Sequence, residues 1–146
     1  MTPHLLDVNA LIALLWETHP HHNAMDAWFN RHAKAGWSTC AITQSGFVRI
    51  MNQPALAAQQ RNVAESGNLL AHSLAHPAHS LLPLDLNFAD VLTTCTGGLV
   101  GHRQVTDAYL LTAAIRAGMK LLTFDGGICT LLRTDAERRT HITVLR

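Results

Sequence analysis

Three aspartates stand at the edges of apolar segments in this chain: Asp7 in HLLDVNALIALL, Asp107 in VTDAYLLTAAI and Asp125 in KLLTFDGG. Carboxylates drawn within a few ångströms repel one another, and hard, oxygen-seeking ions such as Mg2+ or Mn2+ offset that repulsion. A magnesium site commonly keeps several waters and takes up phosphate oxygens, and paired ions can activate a water and stabilise a leaving oxygen. The chemistry expected of such a trio is metal-assisted phosphodiester hydrolysis. Each aspartate alone reads equally well as a cap or a turn residue, because aspartate favours both places.

Bringing the three together requires a fold that gathers distant segments. His4-Leu5-Leu6 is a short strand candidate that ends at Asp7, with Asn9 expected to cap a helix through Trp16. A second helix is predicted from Pro20 to about Lys34, ended by Gly36, and a second strand from Trp37 to Cys40. Thr43 is expected to precede a helix that stops before Pro54, and a longer helix to occupy Ala55 to His76. A short strand at Ser80 to Leu82 and a helix from Asn87 to Cys95 lead into a loop with Gly97, Gly98 and Gly101.

Thr106 then reads as the cap of a helix to Ala117, which puts Asp107 in its first turn. Lys120 to Phe124 makes a strand, Asp125-Gly126-Gly127 a turn, and Ile128 to Leu132 a short helix. A charged turn over Asp135 to Arg139 precedes a last strand marked by Ile142, Val144 and Leu145. This alternation predicts one α/β domain over residues 1–146, an α/β/α sandwich on a mainly parallel sheet. Ligands gather beyond the carboxyl ends of such strands, where Asp7 and Asp125 are expected.

Composition narrows the classes. Hydrophobic residues at 48% with 14% charged argue for a folded core and against disorder. No apolar run reaches the roughly 18 residues of a spanning helix, so neither a membrane protein nor a secreted one is expected, and a cytoplasmic location is. Cys40, Cys95 and Cys129 are odd in number and lack a CxxC pair, which reads as reduced thiols. A formal charge of +1 excludes a global basic field, although ions bound by the aspartates would leave a surplus of basic side chains for a phosphate backbone.

Other reactive types are less well placed. Ser45 has no neighbouring His and Asp for a nucleophilic triad. The ten histidines, conspicuous at His19, His21, His22 and at His72, His76, His79, read as exposed or locally hydrogen-bonded, with RNA attraction on protonation as the alternative. Trp16, Trp28 and Trp37 read as core or partner packing rather than base stacking.

The segments LLDVNALIALLWETHPHH, STCAITQSGFVRI and GHRQVTDAYLLTAAIRAGMKLLTFD, with the final apolar strand, together resemble a PIN-domain ribonuclease of the VapC type. The resemblance covers most of the chain. It implies a PIN-like α/β/α fold and a Mg2+- or Mn2+-dependent endoribonuclease, the toxin of a toxin–antitoxin pair. By resemblance Asp7, Asp107 and Asp125 are the acidic pocket, and Asn9 orients a ligand or water. Gln44 in TQSGF stands where many members carry glutamate, and an amide offers a neutral oxygen in place of a charged one, which favours a weaker second metal site.

Thr43 and Thr123 are candidate partners of these ligands, and Arg49 and Arg103 candidate contacts to RNA phosphate. The implied partners are RNA, a cognate VapB-like antitoxin and a second copy of the chain in a homodimer. Two alternatives stay open. One is a catalytically weak PIN domain that binds RNA or protein; the other is a magnesium-dependent phosphatase with Asp7 as nucleophile, in which Asn9 replaces the expected general acid.

Overall fold

The structure, a computed structural model, describes residues 1–56 and 62–146. Five short strands, β1 (His4–Leu6), β2 (Trp37–Thr39), β3 (His79–Leu81), β4 (Lys120–Thr123) and β5 (Ile142–Val144), form one sheet in the order β3-β2-β1-β4-β5. Every neighbouring pair is parallel. Consecutive residues of a strand face opposite sides of a sheet, and both sides here are apolar. Leu5 and Leu121 enter a core with Ala108, Leu111 and Leu131, while Leu6 and Leu122 enter a second core with Leu11, Met25, Trp37 and Phe47. Two cores, one on each face, make the α/β/α sandwich.

Seven helices surround the sheet among the described residues: α1 (Val8–Leu15), α2 (His22–His32), α3 (Ala41–Met51), α4 (Val63–Leu74), α5 (Phe88–Thr94), α6 (Val105–Arg116) and α7 (Asp135–His141). The element order follows the expectation, and the departures from it are mostly matters of capping. Asp7, not Asn9, caps α1: its Oδ1 accepts the Val8 N–H at 2.7 Å. Thr43 lies inside α3 rather than before it, in a reciprocal cap with Cys40, whose N–H it accepts at 2.9 Å. Thr106 is not a cap either, because α6 begins at Val105 with Gln104 at the cap position, two residues earlier than expected.

The helix expected over Ala55 to His76 is a 3-10 turn at Pro54–Leu56 followed by α4 from Val63, capped by Asn62; its part over 57–61 lies outside the described residues. The charged turn at Asp135 to Arg139 is instead the helix α7, because Thr134 and Glu137 form a reciprocal cap that satisfies its first turn. No helix among the described residues is long and apolar enough to cross a membrane. Cys40, Cys95 and Cys129 are all free thiols.

Candidate active site

The order β3-β2-β1-β4-β5 reverses direction between β1 and β4, so the loops leaving these two strands part and open a crevice at their carboxyl ends. Asp7 follows β1 and Asp125 follows β4 by two residues. Asp107 joins them from the first turn of α6, the helix that leads into β4. The loop before α6 is pinned to the segment after Asp125: Gln104 accepts the Val100 N–H at 2.7 Å and donates to Thr130 Oγ1 at 3.1 Å.

Thr123, wholly buried at the end of β4, organises the crevice. Its hydroxyl donates to Asp7 Oδ2 at 2.8 Å, and its oxygen accepts the Asn9 side-chain amide at 3.1 Å and the Asp125 N–H at 3.0 Å. One donor and two acceptor positions are thereby all engaged. Asn9 also accepts the Phe124 N–H at 3.1 Å, which ties α1 to the strand end. Asp125 folds onto its own turn, with Oδ1 accepting the Gly127 N–H at 2.8 Å.

The three carboxyls act on one another. Asp7 is 6% exposed, and burial is the first cause of its raised pKa, with the charge of Asp125 adding to it and the bonds from Thr123 and Val8 opposing it. Asp107 is pushed up to about 6, first by burial and then by Asp7 and Asp125. Among the described residues no three His, Cys, Asp or Glu side chains converge tightly enough to enclose an ion directly. The donor set is all oxygen and is destabilised by its own charge. It therefore suits a hydrated hard cation such as Mg2+, which retains waters between itself and part of its ligands.

The other candidates divide. Thr123 bonds the Asp7 carboxylate, and Asn9 reaches it only through Thr123. Thr43 does not: its hydroxyl is spent on Cys40, a local cap in the core. Gln44 donates from Nε2 to Thr39 Oγ1 at 2.9 Å, and Thr39 in turn is hydrogen-bonded to His79 Nε2 at 2.8 Å. Gln44 also lines a cavity of about 430 Å3 with Ser45, Val48, Arg49 and Leu70. Arg49 and Arg103 are exposed, and both stand outside the two ion pairs found among the described residues, Arg116–Asp90 and Arg138–Asp135.

Sequence reasoning missed the Gln44–Thr39–His79 chain and the stacking of His21 on Phe124, whose ring centroids are 4.6 Å apart. The abundance of histidine was the available signal. The pairing itself depends on sheet register, which joins β2 to β3 and cannot be read from spacing.

The PIN domain family matches residues 4–132. The ribonuclease VapC38 of Mycobacterium tuberculosis is 42% identical over 127 residues, covering 87% of this chain and 88% of the relative. The ribonuclease VapC44 of the same organism is 36% identical over 141 residues, covering 97% and 98%. Among solved structures, VapBC2 from Rickettsia felis bound to a promoter DNA fragment aligns with a TM-score of 0.61 at 11% identity, over 99% of each chain. PAE2754 from Pyrobaculum aerophilum aligns with a TM-score of 0.58 at 18% identity, over 90% of this chain and 86% of the other. These two attest the fold, and the curated relatives attest the branch: the chain belongs to the PIN-domain family, among the VapC ribonucleases.

Proposed function

We propose that this chain is a Mg2+- or Mn2+-dependent endoribonuclease, the toxin of a type II toxin–antitoxin pair, with Asp7, Asp107 and Asp125 as its metal-holding carboxylates. The observation that carries the reading is the mutual coupling of these three groups at the sheet's switch point, where two of them are held above the ordinary carboxylate range. A cation supplies the charge that relieves this repulsion and can lower the pKa of a bound water. Asp7 accepts two hydrogen bonds at its carboxyl, from the Val8 N–H and the Thr123 hydroxyl. Asn9 holds the strand end in place rather than acting as an acid or base, which disfavours the phosphatase alternative.

Arg49 and Arg103 are suited to binding the RNA backbone as exposed guanidinium groups. Gln44 contributes a neutral oxygen at most, so a second ion would depend on substrate phosphate for part of its ligand set. The kinship with VapC ribonucleases supports a cognate VapB-like antitoxin and a homodimer as partners.

The test is Mg2+- or Mn2+-dependent cleavage of a mixed cellular RNA pool, with Asp7→Asn and Asp107→Asn in parallel. Discrete cuts that vanish in both folded variants are expected. Equal cleavage by the variants would overturn the assignment. A second reading, a weak PIN domain that binds RNA or protein, is favoured by the commitment of Gln44 to Thr39; metal-independent RNA binding without cleavage would support it.

A further inference from the structure

A ladder of rings runs from the end of α1 to the segment between Thr123 and Asp125. Trp16 meets His19 edge-on with centroids 5.3 Å apart, His19 lies 5.7 Å from His21, and His21 stacks on Phe124 at 4.6 Å with 18° between the planes. Phe124 is the residue between Thr123 and Asp125, so the stack is carried by the same strand-end segment as a candidate metal ligand. The loop that presents His21 is fixed: its N–H donates to His19 Nδ1 at 3.1 Å, the His22 N–H donates to the His19 carbonyl at 2.9 Å, and the His22 ring bonds the Ala13 carbonyl at 2.7 Å. His21 is exposed and Phe124 half-buried. Among the described residues two other ring clusters centre on buried tryptophans: Phe29, Trp37, His76 and His79 on Trp37, which is 1% exposed, and His4, Trp28 and His32 on Trp28, which is 7% exposed.

Single-stranded RNA is held by stacking unpaired bases on aromatic and imidazole rings, while backbone contacts carry no sequence information. We propose that the His21–Phe124 stack is a base-stacking platform for an unpaired nucleotide flanking the scissile phosphate of the substrate RNA. The inference rests on the ribonuclease reading and deepens it by naming His21 as a residue that binds the substrate beside the cut. His21 adds binding to the base and leaves the bond from Thr123 to the Asp7 carboxylate untouched. A purely structural role for His21, as a cover for Phe124, would affect stability and leave RNA binding alone.

The probe is a 5′-labelled oligoribonucleotide spanning a site that the wild type cuts, followed under steady-state conditions. His21→Ala is expected to raise KM about tenfold with kcat nearly unchanged, the loss of one stacked base. His21→Phe, which keeps a ring, is expected to restore KM to near the wild-type value. Removing the base from one nucleotide beside the cut should cost the wild type about tenfold and His21→Ala less than twofold.

An unchanged KM in folded His21→Ala, or the same abasic penalty in both proteins, would overturn the platform while leaving the nuclease intact. Unchanged KM with weakened inhibition by the antitoxin would overturn it in favour of a protein contact. Failure of the wild type to cut any RNA would overturn the nuclease reading and the platform with it.

Discussion

The Thr123 hydroxyl donates to the buried Asp7 carboxylate at 2.8 Å, and it is the only link that joins the end of β4 to that carboxylate by a side-chain hydrogen bond among the described residues. Replacing it with valine keeps the shape and removes three hydrogen bonds at once. Thr123→Val is expected to lower cleavage about 10- to 100-fold, the usual range for partners of metal-holding groups, and to cost about 1–3 kcal/mol of stability. Cleavage rates and thermal unfolding of the same preparation check both. Activity within twofold of wild type would refute the role given to Thr123.

Asp107 has a folded-state pKa raised to about 6, above the ordinary value of 3.8. Its contribution to stability is therefore fully present below the unfolded pKa and is lost as pH rises through about 6. Chelated protein should lose on the order of 1 kcal/mol between about pH 4 and pH 6 from this half-exposed group, after allowance for solvent screening. Asp107→Asn should remove this loss, and Mg2+ should stabilise the wild type more at pH 7 than at pH 5. Denaturant melts at those two pH values, with and without Mg2+, measure it.

His4 changes stability in the opposite sense. Burial, then Lys120 and His32, lower its pKa from 6.5 to about 4, so its contribution is present above the unfolded pKa and is lost as pH falls toward 4. Its ring meets Trp28 edge-on at 4.8 Å and bonds Thr143 Oγ1 at 3.0 Å, contacts that suit the neutral imidazole. Acidification from about pH 6.5 to 4 should cost roughly 2 kcal/mol through this residue, after allowance for solvent screening. His4→Gln should lower stability at pH 7 and flatten the acid limb, readable in urea titrations across that window.

Gly46 lets α3 approach α1: a Cβ there would meet Val8 Cγ2 at 2.8 Å. Gly46→Ala is expected to destabilise by about 1–3 kcal/mol and, because Val8 adjoins Asp7, to weaken cleavage as well. Val8→Ala in the same chain should return most of the loss. A double-mutant cycle without coupling would show that the contact is not the cause.

The site was more legible in the sequence than the caps were. Asp7 and Asp125 follow apolar strands and Asp107 begins an apolar helical face, so patterning puts the first two at strand ends, while grouping all three as one pocket rested on the family resemblance. Caps misled because Asp7, Asn9, Thr43 and Thr106 all lie near helix starts and each has the chemistry to cap. Only the backbone decides between them, and Asn9 and Thr43 are spent on Thr123 and Cys40 instead. The α7 helix escaped notice because its seven residues show no apolar face, and its Thr134–Glu137 cap outweighs that lack. The His21–Phe124 stack spans 103 positions of sequence and leaves no local trace.

The sheet order also sets when the enzyme comes into being during translation. β1 leaves the ribosome ahead of the other four strands with Asp7 at its end, whereas its neighbour β4 and the Asp125 that follows are made only after β2 and β3. A nascent chain that stops short of Lys120 holds Asp7 and Asp107 but lacks the strand whose Thr123 grips Asp7. The acidic crevice therefore exists only once the chain has been made through β4 and Asp125, and a shorter nascent chain carries no assembled site.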